Sequence, residues 1–323
     1  MTITTVGTIG DRTVKQATLS SGDATVTILS YGAILRDWRV TGPDGVARSV
    51  TLGFADLTPY AANIKSFGIV AGRIANRVRD ARFTLDGAVH HLDVNHGRDH
   101  LHGGAEGLGK QHYLMGADGA SARLIHESPD GAMGYPGNVT FTFDITLKGH
   151  TLTFDLRAVP DRPTPIALAQ HSYYRLGAPL AEHRLTIAAD TVTSVDARNI
   201  PTGAFTPVAG GPLDFRTART LGNAELDHNF CLTGADPAAV LETELYRLTL
   251  STDRPGLQAY SAYNFPRFTD QGHDGAQYGP HAGLALEAQD YPNAVNIPDF
   301  GNVIATPEAP YRQVTSVTIA PQK

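Results

Sequence analysis

Two short apolar segments of the chain each end in a residue that can exchange protons. Residues 283–287 read Gly-Leu-Ala-Leu-Glu, and residues 167–171 read Ala-Leu-Ala-Gln-His. Alternate side chains of a β-strand share a face, so each segment would place small residues beside one ionisable group, Glu287 or His171. A carboxylate and an imidazole that face one cavity can act as general base and general acid. The alternative is that the small residues lie beneath another protein layer and that both ionisable groups sit on its rim.

The segments that would position these side chains are predicted to be strands. Residues 139–147 alternate polar and apolar side chains, a Lys-Gly pair follows, and residues 151–157 alternate again, which predicts a hairpin with one solvated face. Asp-Gly at 86–87 and Pro-Asp-Gly at 43–45 predict two further hairpin turns, because glycine tolerates a positive φ. Antiparallel strands should therefore dominate the fold.

Helical periodicity is nearly absent from the sequence. Short helical turns are predicted at residues 56–62 and 223–227, and most of the 33 glycines and 20 prolines fall between alternating runs. No internal repeat, low-complexity tract or linker divides the chain. We predict one all-β domain covering residues 1–323, built either as a large closed barrel or as stacked sheets.

The composition argues against several classes of protein. A formal net charge of -6 gives no general electrostatic reason to bind nucleic acid or an anionic membrane, so a neutral small molecule suits it best. Cys231 is the only cysteine, and an intramolecular disulfide cannot form. Residues 1–10 lack a signal-peptide pattern, and no segment reaches about 18 consecutive apolar residues. We expect a cytoplasmic protein without a membrane partner.

A cluster of histidines raises the question of a metal site. His100, His102 and Glu106 form a His-x-His-x-x-x-Glu string similar to that of the metal-binding cupin barrels, and three more histidines precede it, His90, His91 and His96. The glycines that bracket the cupin string and a second histidine motif are missing, and there is no cysteine cluster. We predict no metal, and a structural or substrate-contacting role for His102. Gly103-Gly104 would permit close backbone approach to a ligand or form a plain turn.

Other catalytic motifs are absent. The sequence has no Gly-x-Ser-x-Gly elbow for a serine nucleophile. It has neither a Walker-type string nor Gly-x-Gly-x-x-Gly, so we predict no nucleotide cofactor.

Five segments, in order, resemble the aldose 1-epimerases, also called the galactose mutarotase family. They are GRIANRV at 72–78, HLHGG at 100–104, QHSYYRL at 170–176, LDHNF at 226–230 and LEAQDYPNAVN at 286–296. Each is short, but five in the same order and at similar spacing are specific, and they cover most of the chain. The resemblance implies a β-supersandwich of many antiparallel strands with few short helices, a sugar-binding cleft, no cofactor and no metal.

The resemblance also implies roles for particular residues. Glu287 matches the general base of the family, and His171 matches its general acid. The positions that match residues holding sugar hydroxyls are Asn76, Arg77, His102, Tyr173, Asp227 and Gln258. The implied function is interconversion of the α and β anomers of a free aldose by ring opening and reclosure. Reference pKa values of about 4.3 for Glu and about 6.5 for His would then set the acid and alkaline limbs of a bell-shaped pH profile.

Three positions depart from the family pattern, and two other functions stay open. Gln170 and Arg175 stand where the family commonly has Asn, and Asn293 where it commonly has Asp. These changes leave the reaction class in place and leave the preferred sugar open among galactose, glucose, xylose, arabinose and a deoxy sugar. The alternatives are a carbohydrate-binding β-sandwich without catalysis and an epimerase acting on hexose 6-phosphates, which would need cations around the phosphate.

Overall fold

The alternation of the sequence becomes strands along nearly the whole chain. The structure, a computed structural model, describes residues 2–322. The strands, in chain order, are β1 Thr2–Ile9, β2 Arg12–Ser21, β3 Ala24–Leu29, β4 Leu35–Thr41, β5 Ala47–Ser49, β6 Val70–Ala71, β7 Arg77–Val78, β8 Arg82–Leu85, β9 Ala88–His91, β10 His100–Leu101, β11 Leu114–Asp118, β12 Ser121–Ser128, β13 Val139–Lys148, β14 Thr151–Pro160, β15 Thr164–Pro165, β16 Ala169–Gln170, β17 Tyr173–Tyr174, β18 Arg184–Ile187, β19 Ala189–Val195, β20 Pro201–Pro207, β21 Arg219–Thr220, β22 Asp227–Leu232, β23 Ala239–Glu242, β24 Tyr246–Thr252, β25 Gly256–Tyr260, β26 Leu284–Gln289, β27 Ile304–Ala305 and β28 Tyr311–Pro321.

Helices are few and short. The one α-helix among the described residues is α1, Thr58–Ala61. Single 3₁₀ turns occupy Ile64–Ser66, Arg79–Ala81, Leu108–Lys110, Ala132–Gly134, Leu180–Glu182, His273–Gly275, Ala294–Asn296 and Pro298–Phe300. No helix within residues 2–322 is long and apolar enough to cross a membrane.

Three sheets carry most of the strands. They are a five-stranded sheet in the order β1-β2-β3-β4-β5, a nine-stranded sheet in the order β11-β12-β13-β14-β28-β24-β23-β18-β21, and a six-stranded sheet in the order β17-β26-β25-β22-β19-β20. All their pairings are antiparallel. In each of the three described sheets the first strand does not pair with the last, so the sheets are open. They stack on one another and do not form one closed barrel. The all-β supersandwich prediction is confirmed.

The hairpin predictions hold, and one helical turn does not. β13 and β14 pair from Val139 with Pro160 to Lys148 with Thr151, and the Asp-Gly and Pro-Asp-Gly turns join β8 to β9 and β4 to β5. Helix α1 lies within the predicted turn at 56–62. The turn predicted at 223–227 is wrong, because Leu226 exchanges hydrogen bonds with Ser261 and Asp227 begins β22.

The inner faces of the sheets share one hydrophobic core. Trp38 from the five-stranded sheet, Phe143 and Leu156 from the nine-stranded sheet, and Leu257 and Leu286 from the six-stranded sheet all belong to it. Every residue of β26 is buried, so this strand is covered on both faces. Its leucines enter the core, which turns Ala285, Glu287 and Gln289 to the opposite face. That face bears the candidate site.

Candidate active site

A cavity of about 370 Å³ lies on this face of the six-stranded sheet. This volume suits a small ligand. The cavity is lined by all eight residues implied by the family resemblance: Asn76, Arg77, His102, His171, Tyr173, Asp227, Gln258 and Glu287. Four of them lie on neighbouring strands of the sheet: Tyr173 on β17, Glu287 on β26, Gln258 on β25 and Asp227 on β22. The loops before β7, after β10 and before β17 position Asn76, His102 and His171, and Arg77 begins β7. The structure therefore gathers the predicted residues in one place.

His171 and Glu287 form the centre of the cavity. Tyr173 pairs with Ala285 across β17 and β26, and this register brings the residue two positions earlier, His171, level with Glu287. Nε2 of His171 lies 3.5 Å from Oε1 of Glu287. Backbone bonds to Ile69 and Gly68 hold the histidine segment in place. Two groups so close can act on two oxygens bonded to the same carbon.

Burial changes the acid strength of both groups in opposite directions. Burial lowers the pKa of His171 to about 4. Burial, with a smaller contribution from the charge of Asp227, raises the pKa of Glu287 well above its ordinary value, and Arg77 partly opposes this. The ionised carboxylate is therefore a stronger base than usual, and the protonated imidazole a stronger acid.

His102 presents a hydrogen-bond donor to the cavity. The backbone N–H of Asn76 donates to Nδ1 of His102 at 3.1 Å, and the backbone N–H of His102 donates to the carbonyl of Asn76. An imidazole that accepts at Nδ1 carries its proton on Nε2 when neutral. Burial keeps it neutral by lowering its pKa well below the ordinary value. The ring lies edge-on to His171, with centroids 5.2 Å apart.

A polar network lies beside Glu287 on the neighbouring strands. Nε2 of Gln258 donates to Oδ1 of Asp227 at 2.7 Å, and Nη2 of Arg77 lies 3.9 Å from the other carboxylate oxygen. The carbonyl oxygen of the Asn76 side chain accepts from the backbone N–H of Arg77. Nε of Arg77 is buried and has no partner among the described residues. This network offers both donors and acceptors, as the hydroxyl groups of a sugar require.

Tyr173 supports the acid rather than offering its hydroxyl to the cavity. Its ring packs against His171 with centroids 5.0 Å apart, and its hydroxyl donates to the carbonyl of Lys65 at 2.8 Å. The hydroxyl proton is therefore engaged with the protein and unavailable to a bound molecule.

Three side chains have the composition of a metal site. One ligand atom each from His102, His171 and Glu287 lie within 4.8 Å of one another. A metal needs a lone pair from each ligand, whereas Nε2 of His102 carries a proton because Nδ1 is occupied by the amide of Asn76. The arrangement suits hydrogen bonding to a ligand better than it suits a metal ion.

The other histidines of the predicted cluster have separate positions. His100 is buried between the carbonyl of Asp93 and the hydroxyl of Tyr135, so it is structural. His90 stacks on Phe83 in the β8–β9 hairpin, and His96 lies at the edge of the cavity. Gly103 has φ +89°, and a Cβ there would lie 1.6 Å from the carbonyl oxygen of Gly72. The close approach that this glycine allows is to protein backbone.

The three departures from the family pattern have structural roles in this chain. Gln170 bonds to the carbonyl of Gly68 and to Ser172 on the face away from the cavity. Asn293 caps the backbone N–H of Arg79 at 3.1 Å and has φ +61°, a conformation that asparagine tolerates. Arg175 reaches the carbonyl of Ala178. None of these bonds involves Glu287 or the His171 ring.

Several cavity residues were missed by the sequence analysis. Tyr260 lies two positions after Gln258 on β25 and therefore shares its face. The alternation of side chains along a strand could have identified it from the sequence. Lys65 and Lys110 lie in single 3₁₀ turns and Asn264 lies in a loop, so these three residues carry no such signal.

Comparison with known proteins identifies the family of the chain. Residues 15–318 match the family model described as aldose 1-epimerase. The chain is 37% identical over 322 residues to the galactose mutarotase of Mus musculus, covering 95% of this chain and 94% of the mouse protein. The crystal structure of galactose 1-epimerase from Lactobacillus acidophilus superposes with a TM-score of 0.89 at 27% identity, covering 100% of this chain and 99% of that one. An aldose epimerase homologue from C. elegans gives a TM-score of 0.89 at 26% identity, covering 95% and 99%. The chain belongs to the aldose 1-epimerase family.

Proposed function

We propose that this chain catalyses the interconversion of the α and β anomers of a free aldose. The observation that carries the proposal is the buried pair of His171 and Glu287, 3.5 Å apart on the wall of a cavity of sugar size. Related proteins that carry the names galactose mutarotase and aldose 1-epimerase support the same reaction.

In this mechanism one proton leaves the sugar and another enters it. Ionised Glu287 takes the proton of the hydroxyl on C1, and protonated His171 gives the proton of Nε2 to the ring oxygen. The bond between C1 and the ring oxygen breaks, and C1 becomes an aldehyde. After rotation about the bond between C1 and C2, the reverse transfers close the ring on the other face of C1, and both side chains regain their starting protonation.

The buried environment suits this exchange. During ring opening the pair passes from carboxylate and imidazolium to neutral carboxylic acid and neutral imidazole. Burial favours the neutral form of each group, because it raises the pKa of Glu287 and lowers that of His171. The protein therefore stabilises the neutral protonation state of the pair, which is the state that accompanies the open-chain sugar.

The remaining cavity residues hold the sugar in this proposal. Asn76, Arg77, Asp227 and Gln258 offer donors and acceptors to its hydroxyl groups, and Nε2 of His102 donates beside the ring oxygen. Tyr173 packs against the acid. Both transfer groups are side chains, so we propose a reaction without cofactor or metal, whose activity should survive exhaustive chelation and dialysis.

The proposal extends to the domain organisation and the cellular location of the protein. We propose that residues 1–323 act as one domain, because one hydrophobic core joins the three large sheets. A cytoplasmic location is consistent with the single free cysteine, Cys231, and cell fractionation tests it.

Hexose 6-phosphates are a second candidate substrate class. Lys65 and Lys110 line the cavity together with Arg77, so cations are available for a phosphate group. A carbohydrate-binding protein without catalysis would not need an acid and a base at this separation.

Polarimetry tests the reaction and separates these candidates. Freshly dissolved galactose, glucose, xylose, arabinose and a deoxy sugar, with glucose 6-phosphate as the phosphorylated arm, are followed with and without the protein. We expect faster mutarotation of at least one free aldose. Acceleration only of glucose 6-phosphate would move the function to the second candidate, and no acceleration of any sugar would overturn the catalytic proposal.

A further inference from the structure

A row of polar side chains extends from the proposed base across the sheet, on the side opposite His171. Glu287 pairs with Gln258, and Gln258 pairs with Asn229, so the three side chains share the site face of the sheet. Val192 pairs with Phe230, which sets Thr193 beside Asn229 on the next strand. Gln289 follows Glu287 by two positions on β26 and points to the same face.

Six buried polar atoms in this region have no hydrogen-bond partner among residues 2–322. They are Oε2 of Glu287, both amide atoms of Asn229, both amide atoms of Gln289 and Oγ1 of Thr193. The exposed fractions of these residues are only 1–2%. Each buried and unpaired polar group costs about 1–3 kcal/mol, so native proteins satisfy such groups with protein or with internal water.

A glycine brings the two amides together. Gly256 pairs with Gln289 across β25 and β26. A Cβ on Gly256 would lie 2.8 Å from Oδ1 and 3.0 Å from Nδ2 of Asn229, and 3.0 Å from Cδ1 of Tyr291. Asn229 therefore lies over this glycine, and Gln289 lies beside it. The two amides flank the same position, on the sheet face that also bears Glu287 two residues before Gln289.

The chemistry of these atoms defines what can join them. Each amide offers one donor group and one acceptor, and Oε2 of an ionised glutamate accepts only. A cation would meet the amide N–H groups, and an anion would meet the carboxylate. Water both donates and accepts, and it is small enough for an enclosed polar region.

We infer that internal water molecules bridge Oε2 of Glu287 to the amides of Gln289 and Asn229, and that these two amides are positioning residues for the base. The inference rests on the proposed function. Hydrogen bonds to Oε2 fix the carboxylate so that Oε1 stays directed toward His171 and the sugar. They also favour the ionised form of the carboxyl group.

The loss of these bonds has two effects. The carboxylate becomes free to rotate, which lowers kcat, and its ionised form loses donors, which raises its pKa and moves the alkaline limb of the pH profile upward. The other titratable and charged groups that face Glu287 remain in place in such a variant: His102, His171, Arg77, Asp227, Tyr173 and Tyr260.

Two variants and a matched control test the inference by kinetics. Gln289→Met keeps the length of the side chain and removes its amide, and Asn229→Leu does the same on β22. For each we expect kcat to fall by about 10- to 100-fold, with KM within about twofold and the alkaline limb at higher pH. The control is Gln313→Met, because Gln313 donates to the carbonyl of Ala288 from the opposite side of β26. It should lower stability while leaving the pH profile unchanged.

A crystal structure of the wild-type protein at high resolution supplies a readout that needs no activity. We expect ordered water within hydrogen-bond distance of Oε2 of Glu287 and of the Gln289 amide. The inference would be overturned if the electron density showed no ordered water at these atoms. It would also be overturned if Gln289→Met kept the wild-type kcat and pH profile, or if Gln289→Met and Gln313→Met had equal effects. If wild-type protein accelerates no sugar, the proposed function fails while the density still decides the water bridge.

Discussion

The polar side chains of the nine-stranded and six-stranded sheets differ in whether they have hydrogen-bond partners. On the nine-stranded sheet they pair with one another across strands. Arg123 makes two bonds to Asp144, at 2.6 and 2.9 Å, and the hydroxyls of Thr153 and Ser316 lie 2.9 Å apart. On the site face of the six-stranded sheet, Glu287 is buried with one oxygen unpartnered among the described residues. The first sheet satisfies its polar groups internally, whereas the second leaves them available to a ligand or to water.

Two buried histidines show the same contrast. Burial lowers the pKa of His183, next to the nine-stranded sheet, and of His171 to about 4 in both cases. Nε2 of His183 accepts from the backbone N–H of Leu176, and its Nδ1 donates to the carbonyl of Pro179. Nδ1 of His171 has no partner within the described part of the chain. A shifted pKa therefore does not by itself identify a functional histidine. His171 differs from His183 in that it lines the cavity and keeps a ring nitrogen without a partner among the described residues.

The largest expected effect is on the reaction rate. His171→Gln removes the proposed acid and should lower kcat by about 10²- to 10⁴-fold. The denaturant midpoint should change little, because the only polar contact of the His171 ring among the described residues is the 3.5 Å approach to Glu287. The matched control His183→Gln loses two hydrogen bonds and should lower stability at unchanged kcat of the folded enzyme. Mutarotation rates and denaturant curves of both proteins make the comparison. Equal loss of kcat in the two variants would refute the distinction drawn between these histidines.

A core substitution in the nine-stranded sheet should show the reverse pattern. Phe143 is fully buried and packs with Phe141 and Tyr113. Phe143→Ala should lower the free energy of unfolding by about 3–5 kcal/mol, while kcat and KM of the folded protein stay near wild type. Urea unfolding and kinetics at low temperature give both quantities. A large loss of kcat at full folding would show that the two sheets are coupled in function.

Burial should exchange the groups that set the two limbs of the pH profile. The reactive pair must hold one proton, so kcat/KM falls when both groups are protonated and when both have lost their protons. The low pKa of His171, about 4, places the acid limb, and the raised pKa of Glu287 places the alkaline limb well above the ordinary value for a carboxyl group. This reverses the order expected from the sequence, where Glu287 set the acid limb. Initial rates across pH locate the limbs, and an NMR titration of His171 assigns them. A His171 pKa near about 6.5, its reference value, would contradict the effect of burial.

The smallest effect is expected at an exposed pair of the nine-stranded sheet. Arg123→Ala removes the bonds to Asp144, but this ion pair is solvated. We expect unchanged kcat and KM and a shift of the denaturant midpoint far smaller than that of Phe143→Ala. A loss of stability comparable to the core variant would show that polar pairs contribute more to this sheet than solvation suggests.

Local patterns predicted much of the fold. Alternation and a Lys-Gly turn predict the hairpin of β13 and β14, because both signals lie within neighbouring residues. The turn at 223–227 was wrong, since the bonds between Leu226 and Ser261 join distant parts of the chain.

The candidate site was predictable in part. Small residues before Glu287 and His171 indicated an open face, and the family resemblance supplied six further cavity residues. The unpaired amides of Asn229 and Gln289 depend on the register of neighbouring strands, which no short segment encodes. The direction of the pKa shifts depends on burial by the whole fold. These features became visible only once the strands were assembled.

Substitution of the base is the most direct test of the account. Glu287→Gln keeps the size and shape of the side chain and removes its ability to accept a proton. Polarimetry should show kcat reduced by about 10²- to 10⁴-fold, and calorimetry should show that the variant still binds the sugar that wild-type protein interconverts. A variant that binds sugar and retains more than about a tenth of wild-type kcat would contradict the assignment of Glu287 as the general base.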